Sequence, residues 1–246
     1  MILKQLGCCE NRQPFCVYVV GAGGKTSWIH FLAKQERAEG KRVLILTSTH
    51  MYEPKEWVSV RGSGECKTKE QIDQWAKEIL QKLETWGVVI AGIQCGEGKI
   101  TWISDAMYEK VKNGADLILI EGDGSRHLPV KVPSEKEPVI FSDADLIFVT
   151  EGMRAVGKPL MEVCHRLDEA MEILGCQKED LVTKEAVKEM YREGYERVLE
   201  KTHPNALILP VWVYPTDGEE AWDIEKNEYG QIQGIVWYLN GIYRYH

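Results

Sequence analysis

The stretch "FCVYVVGAGGKTSWIHFLAK", residues 15–34, runs from an apolar segment through three glycines, a lysine and a threonine into a helical pattern. Residues 16–20 (CVYVV) are apolar without alternation, as in a strand covered on both faces. Trp28, Ile29, Phe31 and Leu32 then fall at helical spacing, and Gly40 stands where that helix would end. A second run, residues 43–46 (VLIL), completes a βαβ unit whose strands are expected to be parallel.

The join between strand and helix is a candidate phosphate-binding loop. The full pattern is G-x-x-x-x-G-K-[ST]. Gly24, Lys25 and Thr26 supply its last three positions, Gly21 and Gly23 fall inside it, and Val19 stands where the first glycine is expected. The physical requirement is looser than the pattern: backbone N–H groups must converge, a helix N-terminus must face the phosphates, and a lysine must reach them. On this reading Gly21, Gly23, Gly24, Lys25, Thr26 and Ser27 bind a nucleotide, and the Thr26 hydroxyl meets Mg²⁺. The alternative is a glycine-rich strand-to-helix turn with an incidental lysine.

Short apolar runs alternate with helical patterns along the rest of the chain. Residues 68–86 place Ile72, Trp75, Ala76, Ile79, Leu80 and Leu83 on one helical face. "VVIAGIQCGEGKITWIS" has two β-rich runs around a Gly-Glu-Gly turn and reads as a hairpin insertion near 87–104. A short helix is expected near 105–113, and LILI (117–120) and LIFV (146–149) read as buried strands. After Gly157 two helical faces follow, one with Leu167, Ala170, Met171 and Leu174, the other with Val187, Met190, Tyr191, Tyr195 and Val198. In the last strand, "ALILPVWVY", Pro210 points to an edge or a bulge. The expected fold is a three-layer αβα, P-loop NTPase-like domain spanning residues 1–246, with a mostly parallel sheet and a divergent segment at 206–246.

A second chemical signal is "LILIEGDGSR", residues 117–126. In open α/β sheets ligands bind at the carboxyl ends of strands, so Glu121 and Asp123 would point toward the loop. One would hold Mg²⁺ and the other orient a nucleophile, which with Lys25 makes three candidate catalytic residues. A solvated acidic turn is the other reading. "LTSTHM" puts Thr47, Thr49 and His50 at another strand end, as crevice lining or as ordinary caps. "RHLPVKVPSEKEPVI" offers Arg126 and Lys131 to a second anion, or is an ordered surface loop. His165 and Arg166 stand at a helix start, a place suited to an anion.

Composition narrows the function classes. Of 246 residues, 44% are hydrophobic and 28% charged, and the net charge is −8. This balance, with a pI near 5.4, argues against a nucleic-acid partner. No stretch approaches membrane-spanning length, and the first residues lack the form of a secretory signal, so a cytoplasmic protein is expected. Seven cysteines, without a C-x-x-C pair, read as reduced and mostly buried thiols. Cys8 and Cys9 are the pair to watch for redox or chalcogen chemistry.

Three strings together resemble the YqeC-like family: "VVGAGGKTS", "LTSTHM" and "EGDGSRHLPVKVPSEKEPVI", continued by "GMRAVGKPLMEVCHR". Its members are described as accessory proteins of selenium-dependent molybdenum hydroxylases. The resemblance covers residues 15 to about 190 and implies a nucleotide-binding fold similar to the deviant-loop P-loop proteins. It implies Mg²⁺ with ATP or GTP as cofactor, held by the glycine loop, Glu121 and Asp123. It also implies that Arg126, Lys131, His165 and Arg166 face a second ligand, and that a molybdenum hydroxylase or its cofactor is a partner. Related proteins read the base with Asn-x-x-Asp after a late strand. Here that place reads "YPTD", so Asp217 stays a candidate while Tyr214 replaces the Asn.

Three functions compete. The first is an enzyme that spends NTP on a small anionic substrate in selenium or cofactor transfer. The second is a nucleotide-controlled chaperone that delivers cofactor. The third is a binding module whose loop has lost its activity.

Overall fold

The computed structural model describes residues 1–7, 13–53, 56–62 and 68–240. Cys8, Cys9 and the last six residues lie outside the described residues. In chain order the elements are α1 (Ile2–Gln5), β1 (Phe15–Gly21), α2 (Lys25–Ala38), β2 (Val43–Thr47), β3 (His50–Tyr52), β4 (Val58–Gly62), α3 (Lys69–Trp86), β5 (Val88–Gly96), β6 (Lys99–Thr101), α4 (Asp105–Val111), β7 (Leu117–Glu121), β8 (Val130–Lys131), β9 (Leu146–Gly152), α5 (Leu160–Val163), β10 (Cys164–His165), α6 (Leu167–Leu174), α7 (Lys184–Tyr191), α8 (Arg197–Thr202), β11 (Leu207–Thr216), β12 (Ala221–Lys226) and β13 (Ile232–Asn240). A π-helical turn, Arg192–Glu196, joins α7 to α8.

One sheet organises the chain, in the order β12-β13-β11-β9-β1-β7-β2-β5-β6-β3, with β4 also on β5. The pairs from β13 to β5 are all parallel, and so is β4 with β5. Only β12, β6 and β3 pair antiparallel. A parallel sheet needs cover on both faces, and the apolar runs supply it by strict alternation. Val17 and Val19 of β1 face Trp28, Ile29 and Leu32 of α2. Cys16, Tyr18 and Val20 face the opposite layer, which α3, α4 and α6–α8 build with residues such as Trp75, Ile79, Met107, Ala170, Met190 and Leu199. The result is the expected three-layer α/β architecture.

β1 and β2 are parallel but not adjacent, because β7 lies between them. β1 therefore has two late strands as neighbours, β7 and β9. The carboxyl ends of these three strands carry the glycines, Glu121 and Glu151.

Two expectations are corrected. The hairpin at 87–104 is not an insertion. β5 is a core strand, parallel to β2 over Val88–Ile90, and only its far end turns back on β6. Pro210 does not mark an edge: β11 is interior, between β9 and β13. Register with β13 begins one residue later, at Val211↔Ile235, and Gly234 makes room for the ring. A Cβ on Gly234 would come within 2.8 Å of the Pro210 Cγ. The C-terminal segment extends the parallel sheet through β13 before β12 closes the edge.

Candidate functional site

Val19 is a core residue of β1, paired with Glu121 on one side and Phe148 on the other. The strand runs two residues past it to Gly21, so the loop is short and Val19 never takes part in it. Gly21 and Gly23 have φ of +92° and +73°. A Cβ on Gly21 would lie 2.3 Å from the Thr150 carbonyl oxygen, and one on Gly23 2.5 Å from that of Pro129. Only glycine allows the loop to lie this close to the end of β9. The Ala22 N–H donates to the Thr150 carbonyl (2.7 Å), which fixes the loop there.

The loop ends at an uncapped helix. Gly24 is the N-cap of α2, and neither a side-chain cap nor a first-turn acid is present. By contrast, Thr68 and Thr183 cap α3 and α7. The N–H groups of Gly23 and Gly24 make no hydrogen bond to a described residue. Those of Lys25, Thr26 and Ser27 stand in the first turn, where a helix cannot satisfy them. Five donors and the positive end of the helix dipole thus share one small region.

Lys25 is 5% exposed. Its ammonium donates to the Gly21 carbonyl at 2.7 Å and pairs with Asp123 at 3.3 Å. The Thr26 hydroxyl donates to Glu121 at 2.8 Å. Asp123, wholly buried, is the hub: its Oδ2 accepts from the Gly21 N–H (3.2 Å), Lys131 (3.0 Å) and Tyr195 (3.0 Å). Burial pushes the Glu121 carboxyl up, while Lys25 and Thr26 pull it down. Glu151, at the end of β9, is held well above the usual carboxylate range by burial and by Asp123. The Lys131 backbone N–H favours its ionised form, yet neither oxygen makes a full hydrogen bond.

The second cluster lies beside this hub. The short β8–β10 pair sets Lys131 opposite His165. Lys131 is fully buried and saturated: besides Asp123 it donates to the Gly124 carbonyl (2.6 Å) and pairs with Glu137 (3.0 Å). It therefore braces the site rather than presenting a charge outward, which corrects its expected place facing a ligand. Arg166 meets Glu137 at 2.8 Å. Burial, then Lys131, Arg166 and Arg126, lower the His165 imidazole below its ordinary value, and Glu137 opposes them.

The remaining predicted residues scatter. Thr47 is buried and spends its hydroxyl on the Glu121 carbonyl (3.1 Å). The Thr49 hydroxyl is buried without a partner. His50 is exposed on β3, and no described contact joins it to the acidic turn. Asp217 is exposed just past β11, and the nearest tie to the loop is Val213 of that strand, 3.4 Å from a Cβ placed on Gly24.

Sequence reasoning missed Tyr195, Glu137 and Glu151. Tyr195 fell into the apolar stripe of a helix. The π-helical turn instead buries it with its hydroxyl on Asp123, and π turns often mark functional positions. Glu151 follows the run LIFVT, one position past the usual end of an apolar strand, and acidic residues just beyond other strands were the available signal.

The family model for the YqeC protein matches residues 17–168. The chain belongs to the YqeC family. The matched span holds the glycine loop, Glu121, Asp123, Glu151 and the basic cluster, and leaves out Tyr195 and Asp217. The uncharacterized protein YqeC of Escherichia coli (strain K12) is 33% identical over 173 residues, 67% of this chain and 62% of that protein. The chain thus spans about three fifths of that relative's length. No solved structure matches it significantly.

Proposed function

We propose that this YqeC-family chain binds a magnesium nucleotide, ATP or GTP, and uses it on a small anionic substrate. The observation that carries the reading is the uncapped start of α2, with five N–H groups that no described residue satisfies beside Lys25 and the Thr26–Glu121 contact. Gly21, Gly23, Gly24 and Ser27 belong to the same cradle. Among the described residues no three His, Cys, Asp or Glu side chains gather as metal ligands. Magnesium does not require them, since it is usually held by one or two carboxylates together with substrate phosphates. Thr26 and Glu121 are the residues that would hold it, with Asp123 behind them. Bound there, the ion would neutralise phosphate charge.

The chain's own part is positioning and charge. Lys25 exchanges Asp123 and the Gly21 carbonyl for a phosphate oxygen. Asp123 keeps Lys131, Tyr195 and the Gly21 N–H when Lys25 leaves, so its charge is never stranded. Asp217 is the candidate for contact with the base. The family resemblance supports a cytoplasmic role in maturing a selenium-dependent molybdenum hydroxylase, with that enzyme or its cofactor as partner. Calorimetric titration with MgATP and MgGTP tests the reading. Saturable binding of either is expected; no heat from both, in protein shown to be folded, overturns it.

A second reading, a nucleotide-controlled chaperone, draws on the Asp123 hub, which ties the loop to elements from three other parts of the chain. It predicts slow phosphate release accelerated by a hydroxylase partner.

A further inference from the structure

Four non-glycine residues among those described have positive φ: Ser104, Arg126 (+50°), His127 (+63°) and Arg166 (+71°). Three of the four are basic and stand around the β8–β10 pair. Such conformations cost free energy and persist where surrounding structure enforces them. The Arg154 guanidinium helps to hold the 126–127 turn by donating to the His127 carbonyl (3.1 Å).

Three groups here keep donors that no described residue takes. Arg126 is exposed and has no hydrogen bond or ion pair to a described residue. The His165 ring has none either, since its contacts with Val132 and Cys164 run through the backbone carbonyl. The Arg166 Nε is buried without a partner, while Nη2 holds Glu137. Lys131 adds a buried positive charge whose donors are already taken. In a chain of net charge −8, the Arg126 guanidinium, the Arg166 Nε and the His165 ring stand together with donors that no described residue takes.

We propose that Arg126, His165 and Arg166 form a binding site for the oxyanion group, carboxylate or phosphate, of a small molecule, beside and distinct from the glycine-rich loop. The site stands without the nucleotide reading; only its assignment to the acceptor substrate rests on it. Lys131 fixes the backbone of β8 against β10 and supplies background charge. Arg126 and Arg166 supply the permanent charges. The groups facing the imidazole are Lys131, Arg166, Arg126 and Glu137, and the three cations outweigh the one anion. Burial acts first and in the same direction, so the neutral imidazole is favoured in the free protein. An arriving oxyanion offsets the cations and stabilises imidazolium, so His165 takes a proton from solvent as the anion binds.

Sulfate is a suitable probe because it stays fully ionised across this pH range. Its binding to the whole chain, without nucleotide, is measured calorimetrically near pH ~6.5 in two buffers of different ionisation enthalpy. The expected result is a sulfate site that takes up protons as it fills, counted apart from any sulfate that the glycine loop holds. Arg126→Ala should weaken binding about tenfold, the worth of one charge-assisted contact. That side chain is exposed and makes no hydrogen bond or ion pair to a described residue, so the fold is not at risk. His165→Gln should lose the proton uptake, and Lys25→Ala should keep the proton-linked sulfate even where it loses one from the glycine loop. Absence of binding, binding without proton uptake, or loss of the proton-linked sulfate in Lys25→Ala with Arg126→Ala unaffected would each overturn the site. MgATP and MgGTP titrations of the same samples report on the glycine loop alone, so either reading can fail without the other.

Discussion

Glu151 is the most exacting single residue. Its carboxyl is buried against Asp123 and its proton-bearing form is favoured in the folded state. A carboxyl raised on folding contributes stability that is present below about pH 4.3, its unfolded value, and that is lost as pH climbs through the folded value. Glu151→Gln copies the protonated form and removes this loss. The variant should match the parent near pH ~4 and exceed it increasingly toward neutrality, read as melting temperature against pH. A difference that does not change with pH would show that Glu151 is ionised. Gly23 makes the opposite case, since it is constrained by shape rather than charge. With φ at +73° and the Pro129 oxygen 2.5 Å from a Cβ, Gly23→Ala should cost on the order of 2 kcal/mol or more in urea unfolding. At this scale the gathering of Gly21, Gly23, Lys25, Glu121 and Asp123 was legible, because each stands at a strand end or in the loop that follows one. Lys131 misled because a charged side chain in a proline-rich loop reads as exposed, whereas two carboxylates draw it to full burial.

Among the elements, the long helix α3 was the most legible. Its apolar face follows from spacing alone, and the structure starts it at Thr68 with a full capping box to Gln71. Thr68→Ala should therefore cost about 1 kcal/mol, measurable by chemical denaturation. The strands of the sheet centre were equally plain, because burial on both faces leaves unbroken apolar runs. β13 and β12 were not, because their burial is mixed and Pro210 suggested an ending. What decides that region is Gly234, whose missing side chain admits the proline ring, a contact between residues 24 apart that local spacing cannot reveal. The pairing of β8 with β10 was hidden for the same reason: two residues on each side form no periodic pattern.

Over the whole molecule, stability should fall from the middle of the sheet outward. β1, β7 and β9 are buried along their lengths, whereas β12 alternates between partial and full exposure. Amide hydrogen exchange should show β1, β7 and β9 opening only with global unfolding and β12 exchanging earlier. Uniform protection across the sheet would contradict that gradient. The order of the strands explains why the candidate site lies where it does. Insertion of β7 between β1 and β2 brings Glu121 and Asp123 to the glycine loop, and β9 on the other side brings Glu151. Sequence placed Glu121 and Asp123 at a strand end but did not specify adjacency, which depends on crossovers of many residues. The central claim is that Lys25 holds phosphate while Glu121 serves the metal and the reaction. It is tested most directly by comparing Lys25→Ala and Glu121→Gln in nucleotide affinity and phosphate release. Lys25→Ala should lose affinity by tenfold or more, the worth of one charge-assisted contact. Glu121→Gln should keep most of its affinity and lose phosphate release. Equal loss of affinity in both variants, or none in Lys25→Ala, would contradict it.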